Sequence, residues 1–440
     1  VASSLGISQD TFNAGLLSAK LGTPAFSFGG DADAFARSEI KVEQGASITT
    51  STGGRVMLLA PQVKNAGSIS TPQGQAVLAA GDKVYLALPT SADLRGFLVE
   101  VDPHASGGGS VVNDVGARVH AERGNVTLVG STVRQDGQAS ATSSVNLNGS
   151  VRLLARDTVT VSDTLVANKG GALTLGANSV TAVTTDADTS TARQDAPFSA
   201  SQIELAGRTV HLEGGAQVVA PGGQVTVTAQ RGALFETSPS VDPLREDVRV
   251  QIDPGARIDV SGEQDVPVDV TRNVVGVELR GDELKDSPLQ RDGMLRNKKV
   301  FVDARAGTSL ADVSGAVAGI ETGIRERNAT GGDITLRSEG DLIVRAGSQL
   351  NVSGGSIVWK AGQIDTTVLV GADGRIYDIA TASPDVRYLA LAGHYAVTDP
   401  KWGVTREYRT LPGRWDMGYV EGRPAGSITV QGRRVVLVED

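Results

Sequence analysis

The sequence predicts an all-β fold, a right-handed parallel β-helix carrying two extra-helical excursions. Three observations lead there. Two glycine-cornered phrases recur along most of the chain, the short runs between the corners alternate apolar and polar residues, and aromatic residues make up only 4% of the total. Glycine accounts for 54 of 440 residues, nearly twice the usual share of about 7%. A glycine-rich, valine-rich, aromatic-poor chain suits many short strands with tight corners better than helices around an aromatic core. Alternation along almost the whole length, with 40% hydrophobic and 21% charged residues, argues against disorder.

The first phrase is Gly-Ala-x-Val/Ile-x-Val/Ala closed by a further Gly. It reads GASITTSTG (Gly45 to Gly53), GARVHAERG (Gly116 to Gly124), GAQVVAPGG (Gly215 to Gly223) and, slightly changed, GARIDVSG (Gly255 to Gly262) and GSQLNVSGG (Gly347 to Gly355). The second is Gly-x-Val-x-Leu/Val-x-Ala with another Val beyond, as in GGRVMLLAPQV (Gly53 to Val63), GNVTLVGSTV (Gly124 to Val133), GGDITLRS (Gly331 to Ser338) and GSITVQGRRV (Gly426 to Val435). Each phrase is a strand of four to six residues with period two, closed by Gly or Asn/Asp. The pair recurs about every 20 to 23 residues. A hairpin meander rarely keeps two kinds of corner at fixed offsets, whereas a solenoid must turn the same corners on every coil. Inward positions are expected at Val56, Leu58, Ala60, Val126, Leu128, Val225, Val227, Ile334, Leu336, Ile428 and Val430, with the intervening Arg, Thr and Gln facing water.

Residues 1–262 are expected as coils with a Phe-rich start, where Phe12, Phe26, Phe28 and Phe35 form a partial lid. Residues 263–330 form a charged excursion and residues 331–355 return to coils. Residues 356–423 form a second excursion that holds all three Trp and five of the six Tyr. Residues 424–440 read as a strand in progress, continuing into a longer parent chain. About 310 coil residues predict some 14 coils, a rod of roughly 65–70 Å at ~4.8 Å per strand.

Charge excludes some functions. With 41 Lys+Arg against 50 Asp+Glu, net −9, the chain lacks the basic stripe that nucleic acid requires. No run of 18 apolar residues is present, so insertion in a membrane is not expected. No signal peptide is recognisable and the first Met is Met57, which reads as a processed product or a segment of something longer. Cysteine is absent, which excludes disulfide scaffolds and thiolate metal sites. It also suits a chain that crosses an oxidising compartment unfolded.

The phrases from Gly53 to Leu88, with an Asn-x-Gly-x-Ile turn at Asn65, Gly67 and Ile69, resemble the filamentous haemagglutinin family, the large secreted exoproteins of two-partner secretion. The resemblance continues in ADLRGFLVEV (Ala92 to Val101), ELRGDELKDSPLQRDG (Glu278 to Gly293), ADVSG (Ala311 to Gly315), Thr330 to Ile357 and WGVTREY (Trp402 to Tyr408). It thus covers both interruptions, while neither a secretion domain nor a toxin or maturation region is recognisable at the ends. It implies an interior shaft segment at the bacterial cell surface or outside the cell, exported through a dedicated outer-membrane β-barrel transporter. The implied work is adhesion, aggregation or filament assembly. Its partners would be neighbouring coils of the parent chain, further copies in a fibre, and a host, bacterial or polysaccharide surface.

Parallel β-helices also include polysaccharide-degrading enzymes, whose two carboxylates sit roughly 5–9.5 Å apart. Asp253 and Asp259, or Asp333 and Asp341, are the outward candidates, but acidic residues at corners are ordinary turn chemistry. No catalytic residue is therefore assigned. His104, His120, His211 and His394 show no metal-ligand spacing, the calcium nonapeptide array is missing, and no cofactor or metal is expected. Arg280, Gly281 and Asp282 form an attachment tripeptide, a pattern that chance supplies readily at this composition. The aromatic excursion is the best interaction candidate, because Trp and Tyr combine flat apolar faces with a polar edge. If its rings face outward, Trp402, Arg406, Tyr408, Arg409, Trp415 and Tyr419 make the patch; the competing expectation is that they form a satellite core. The function expected is a non-enzymatic structural segment, with a polysaccharide-binding or polysaccharide-degrading protein as the alternative.

Overall fold

The structure is a computed structural model that describes residues 1–13, 15, 23–88, 96–104, 107–161, 165–235, 247–392, 395–398, 402, 405–408 and 413–439. Three parallel sheets of nine, nine and eight strands run its length, and the chain visits them in strict rotation. One coil reads Arg55–Ala60 in the first sheet, Gln62–Asn65 in the second and Ser68–Ser70 in the third, before Gln75–Ala80 returns to the first. The architecture is a parallel β-helix.

Period-two alternation builds the core. Leu58, Leu78, Leu128, Leu153, Leu205, Val227, Leu336 and Val430 stand in register as one aliphatic column. All but Val430 are at most 4% exposed, and full burial of each such side chain contributes about 1.5–3 kcal/mol. Nine of the expected inward positions lie in this core. Ile428 and Val430 do not: they are 41% and 38% exposed, because the strand Ser427–Gly432 has a neighbour on one side only.

The corners explain the repeated phrases. Between the second and third sheets the link is always two or four residues. Five of the six four-residue links turn on Gly45, Gly116, Gly215, Gly255 or Gly347, with φ of 79–86°, and the sixth on Asn178 with φ 64°, the left-handed region that favours glycine and tolerates asparagine. The two-residue form at Asn65 works differently. The Asn65 side-chain oxygen accepts the Gly67 N–H at 3.1 Å and closes the turn. Its amide nitrogen donates to Asn113 at 2.8 Å, and Asn113 donates to Gln135 at 2.7 Å. This amide ladder is fully buried, and the next coils continue the same column with Leu175, Leu212, Ile252 and Val344.

The other two corners take every insertion, and this corrects the coil count. Aligned positions Arg55, Gln75, Asn125, Ser150, Gln202, Gln224, Asp333 and Ser427 are 20, 50, 25, 52, 22, 109 and 94 residues apart. About nine coils are present rather than 14, because the stretch expected to be wholly coil also leaves it at 81–109, 156–171, 186–201 and 230–248.

The first of these insertions has a packing cause. Gly6–Ile7, Phe26–Ser27, Lys83–Ala87 and Leu98–Asp102 form a four-stranded antiparallel sheet. It buries Met57, Leu59, Val77 and Ala79, which face outward from the first sheet. Of the Phe group, Phe26 belongs to this layer, Phe35 is buried against Phe28 and His104, and Phe12 is 66% exposed. The outer face also buries charge. Arg156 donates to Glu100 at 2.6 Å in a buried pair, and beside it the partly buried Arg152 donates to Glu204 at 2.7 Å. Burial opposes ionisation of Glu204, yet Arg152, Arg156 and Lys169 overcome it and hold its pKa down at about 2.

The segments expected as two separate excursions pack as one side module. Val277, Leu279, Leu295 and Val302 from the first share a core with Leu369, Ile379 and Tyr388 from the second. A three-stranded sheet also joins them, with Ser356–Lys360 parallel to Val266–Asp269 and antiparallel to Tyr419–Gly422.

Replacing Asn113 with Ala removes the middle of the amide ladder and leaves the Gln135 oxygen without its donor. The expected cost is about 3 kcal/mol, measured by urea unfolding. Asn65→Ala, at the end of the ladder, is expected to cost less.

Candidate functional site

The candidate site lies on the side module, where the aromatic residues concentrate. Trp359 on the strand Ser356–Lys360 is 9% exposed and packs on Val266, Val268, Ala329 and Ile357. Its indole N–H donates to Glu421 at 2.8 Å. Tyr419 stacks on it with ring centroids 5.8 Å apart and planes 21° from parallel. The Arg272 guanidinium lies 5.4 Å from the Trp359 ring, and the Arg305 guanidinium 5.7 Å from the Tyr419 ring. Two aromatic rings from the second segment are thus joined to two arginines from the first, a cation–π arrangement worth about 0.5–2 kcal/mol per contact.

Carboxylates hold those arginines in place. Glu326 accepts from Arg272 at 2.6 Å. Arg305 donates to Asp303 at 3.0 and 2.9 Å and to Asp416 at 2.9 Å, while Arg414 reaches the same Asp303 carboxylate. The Asp303 side chain is 2% exposed. Burial raises its pKa, but the Arg305 and Arg414 hydrogen bonds outweigh burial and hold it below the ordinary value. The hydrogen bond from Arg305 likewise lowers the pKa of Asp416, and Asp303 in turn raises that of Arg305.

The expected patch is divided by the structure. Tyr419, 38% exposed, belongs to the clasp formed by Trp359, Tyr419, Arg272, Arg305 and their carboxylates, whereas Trp402 and Trp415 are 70% and 62% exposed. Met417 and Val420, unremarked in the sequence, join them at 80% and 66%. Arg406 and Tyr408 lie on the strand Thr405–Tyr408, antiparallel to Tyr395–Thr398. Arg409 lies outside the described residues, as does His394. Trp359 and Tyr388 are buried, so the excursion supplies both a satellite core and outward-facing rings.

Arg280, Gly281 and Asp282 occupy an exposed turn after the strand Val274–Glu278, with the Arg280 guanidinium donating to Glu278 at 2.7 Å. The carboxylates weighed for catalysis each have local partners. Asp253 pairs with His211 at 2.7 Å and Gln251 at 2.8 Å, and Asp259 with Arg257 and the Ser261 N–H. Asp333 accepts from Ser427, and Asp341 from Arg249. His120 sits 3.0 Å from Ser140, its pKa lowered by burial. Among the described residues, no group of three or more His, Asp or Glu is placed to hold a metal, and no helix is long and apolar enough to cross a membrane.

No local pattern marks the clasp, because its partners Asp303 and Arg414 are 111 positions apart. No family model, no curated protein and no solved structure matches this chain.

Because Asp303 and Asp416 have folded pKa values below the ordinary one, the clasp stabilises fully above about pH 3.9 and is lost as pH falls through the lower folded values. Proteolysis of the side module by pepsin is expected to accelerate in that acid range, ahead of cleavage in the coils. Asp303→Asn is expected to open the module already at neutral pH, with a cost of about 2 kcal/mol.

Proposed function

We propose that this chain is a non-enzymatic structural segment of a secreted, cell-surface exoprotein of the filamentous haemagglutinin kind. In this reading it leaves the cell by two-partner secretion through an outer-membrane β-barrel and works in adhesion, aggregation or filament assembly. The observation that carries the reading is the parallel β-helix itself, with in-register coils that make a stiff body and a side module that displays exposed aromatic rings. The absence of cysteine suits a chain threaded unfolded through a pore, and the family-like phrases run through both inserted segments. The local partners of Asp253 and Asp259 favour turn chemistry over catalysis at those positions.

One observation favours polysaccharide binding as a second reading: the largely exposed rings of Trp402 and Trp415. Such rings stack on sugars or dock on proteins.

Immunogold electron microscopy of the producing cells, with an antibody against this segment, tests the proposal. Label along thin, regular surface fibres is the expected result, with cell aggregation reduced by the double variant Trp402→Ala, Trp415→Ala. Label confined to dispersed soluble particles would remove the fibre reading. Turnover of a polysaccharide that disappears in the Asp253→Asn, Asp259→Asn variant would replace it with an enzyme.

A further inference from the structure

We infer that a groove on the side module, bordered by the free edge of the strand Val274–Glu278, is a docking site for an extended, basic polypeptide segment that adds there as a strand. The inference goes beyond the adhesin reading and does not depend on it.

Three cavities of about 650, 590 and 440 Å³ lie end to end. The first and second share Thr191 and Arg272, and the second and third share Gly276, Gly315 and Ala316. Shared walls make them one continuous open groove. It passes from the coil loop at Asp186–Thr191 to the turn at Arg280–Asp282.

Backbone edges border its middle. The strand Val274–Glu278 is hydrogen-bonded to Lys299–Asp303 on one side and belongs to a two-stranded sheet. Val275, Gly276, Val277 and Glu278 line the cavities, and among the described residues none of Lys299–Asp303 does. The groove therefore runs along the unpaired side. Across it stands a second two-stranded sheet, Thr191–Arg193 with Glu321–Gly323. A gap between two open sheets is the geometry in which an added strand gains main-chain hydrogen bonds.

Small residues keep the gap open. Gly315, in the short helix Ser314–Ala318, has nothing within 4 Å of where its Cβ would stand, and the nearest atom to that of Gly323 is at 4.0 Å. Neither has a positive φ, so a side chain at either position would fill the groove without backbone strain.

Charge and chemistry choose the occupant. At one end Asp186, Asp188, Asp269 and Glu326 face Arg272 and Arg325, with Arg123 3.8 Å from Asp186 and 3.5 Å from Asp188. At the other, Glu278, Asp282, Glu283 and Asp312 face Arg280 and Lys285. Both ends carry a carboxylate excess, which repels polyanions and favours a basic segment. Val266, Val268 and Ile324 back the floor but are only 2–7% exposed, so main-chain pairing and charge carry the contact. No aromatic ring lines the three cavities among the described residues, so the stacking platform expected of a sugar site is not built here.

The test uses a fluorescent peptide of about eight residues alternating valine and lysine, titrated into the whole chain and followed by anisotropy. Saturable binding is expected, weakened about tenfold or more by Gly315→Trp and by Gly323→Trp, with Gly29→Trp, which lies outside the groove, unchanged. The same peptide with glutamate for lysine is expected to bind at least about tenfold more weakly. Circular dichroism checks that each variant folds, and two blocking positions guard against failure of one. Absence of binding, or equal binding by both folded groove variants, would overturn the proposal. So would binding of a cello-oligosaccharide that Gly315→Trp abolishes while the peptide fails to bind.

Discussion

Everything in this molecule rests on the in-register stacking of parallel strands. Each strand of a coil satisfies its backbone groups on the coils above and below, so a column holds together only if every coil presents a compatible side chain at the same height. The Leu58–Val430 column meets that demand with aliphatic residues throughout. The Asn65–Asn113–Gln135 column meets it with amides whose donors and acceptors match from coil to coil, then changes to Leu175 and beyond. The change is possible because Gln135, at the end of the ladder, donates to the Gly137 and Val180 carbonyls; an amide without such a partner would cost about 1–3 kcal/mol. The corner glycines serve the same demand, since a coil that turned elsewhere would lose register with its neighbours.

What the strands do on their outer face decides where the rest of the chain goes. In QVTVTA (Gln224–Ala229) and DITLRS (Asp333–Ser338) the alternation is clean and the outward residues are polar. In RVMLLA (Arg55–Ala60) and QAVLAA (Gln75–Ala80) both faces are apolar. A strand apolar on both faces has to be covered on both, and the antiparallel sheet from residues 6–7, 26–27, 83–87 and 98–102 does so. That cover is legible in the sequence, in the two consecutive leucines Leu58 and Leu59, since period two puts one on each face. The coil class and its inward positions were legible because period two is a local signal. The coil number was not, because insertions at two of the three corners use residues without adding coils.

The side module shows the opposite limit. Its two segments are separated by a complete coil, yet they share a core and meet through Arg272, Trp359, Tyr419 and Arg305. Nothing local marks Asp303 as the acceptor for Arg414. Aromatic enrichment did mark the region, since Trp and Tyr cluster where a thin core needs large side chains. It did not separate the ring that packs, Trp359, from the rings that face out, Trp402 and Trp415. Trp415 is held by its neighbours Arg414 and Asp416, which pair with Asp303 and Arg305.

The arrangement makes the coil stack the framework and the side module its passenger. Hydrogen exchange of the intact chain, read by mass spectrometry, tests that ordering most directly. The amides of 125–130, 150–155, 202–207 and 224–229 should exchange slowest and together, as one cooperative unit. Those of 274–303 and 366–392 should open earlier, also together. Slowest exchange in the side module, or independent opening of its two segments while the coils open first, would contradict the coil-based framework.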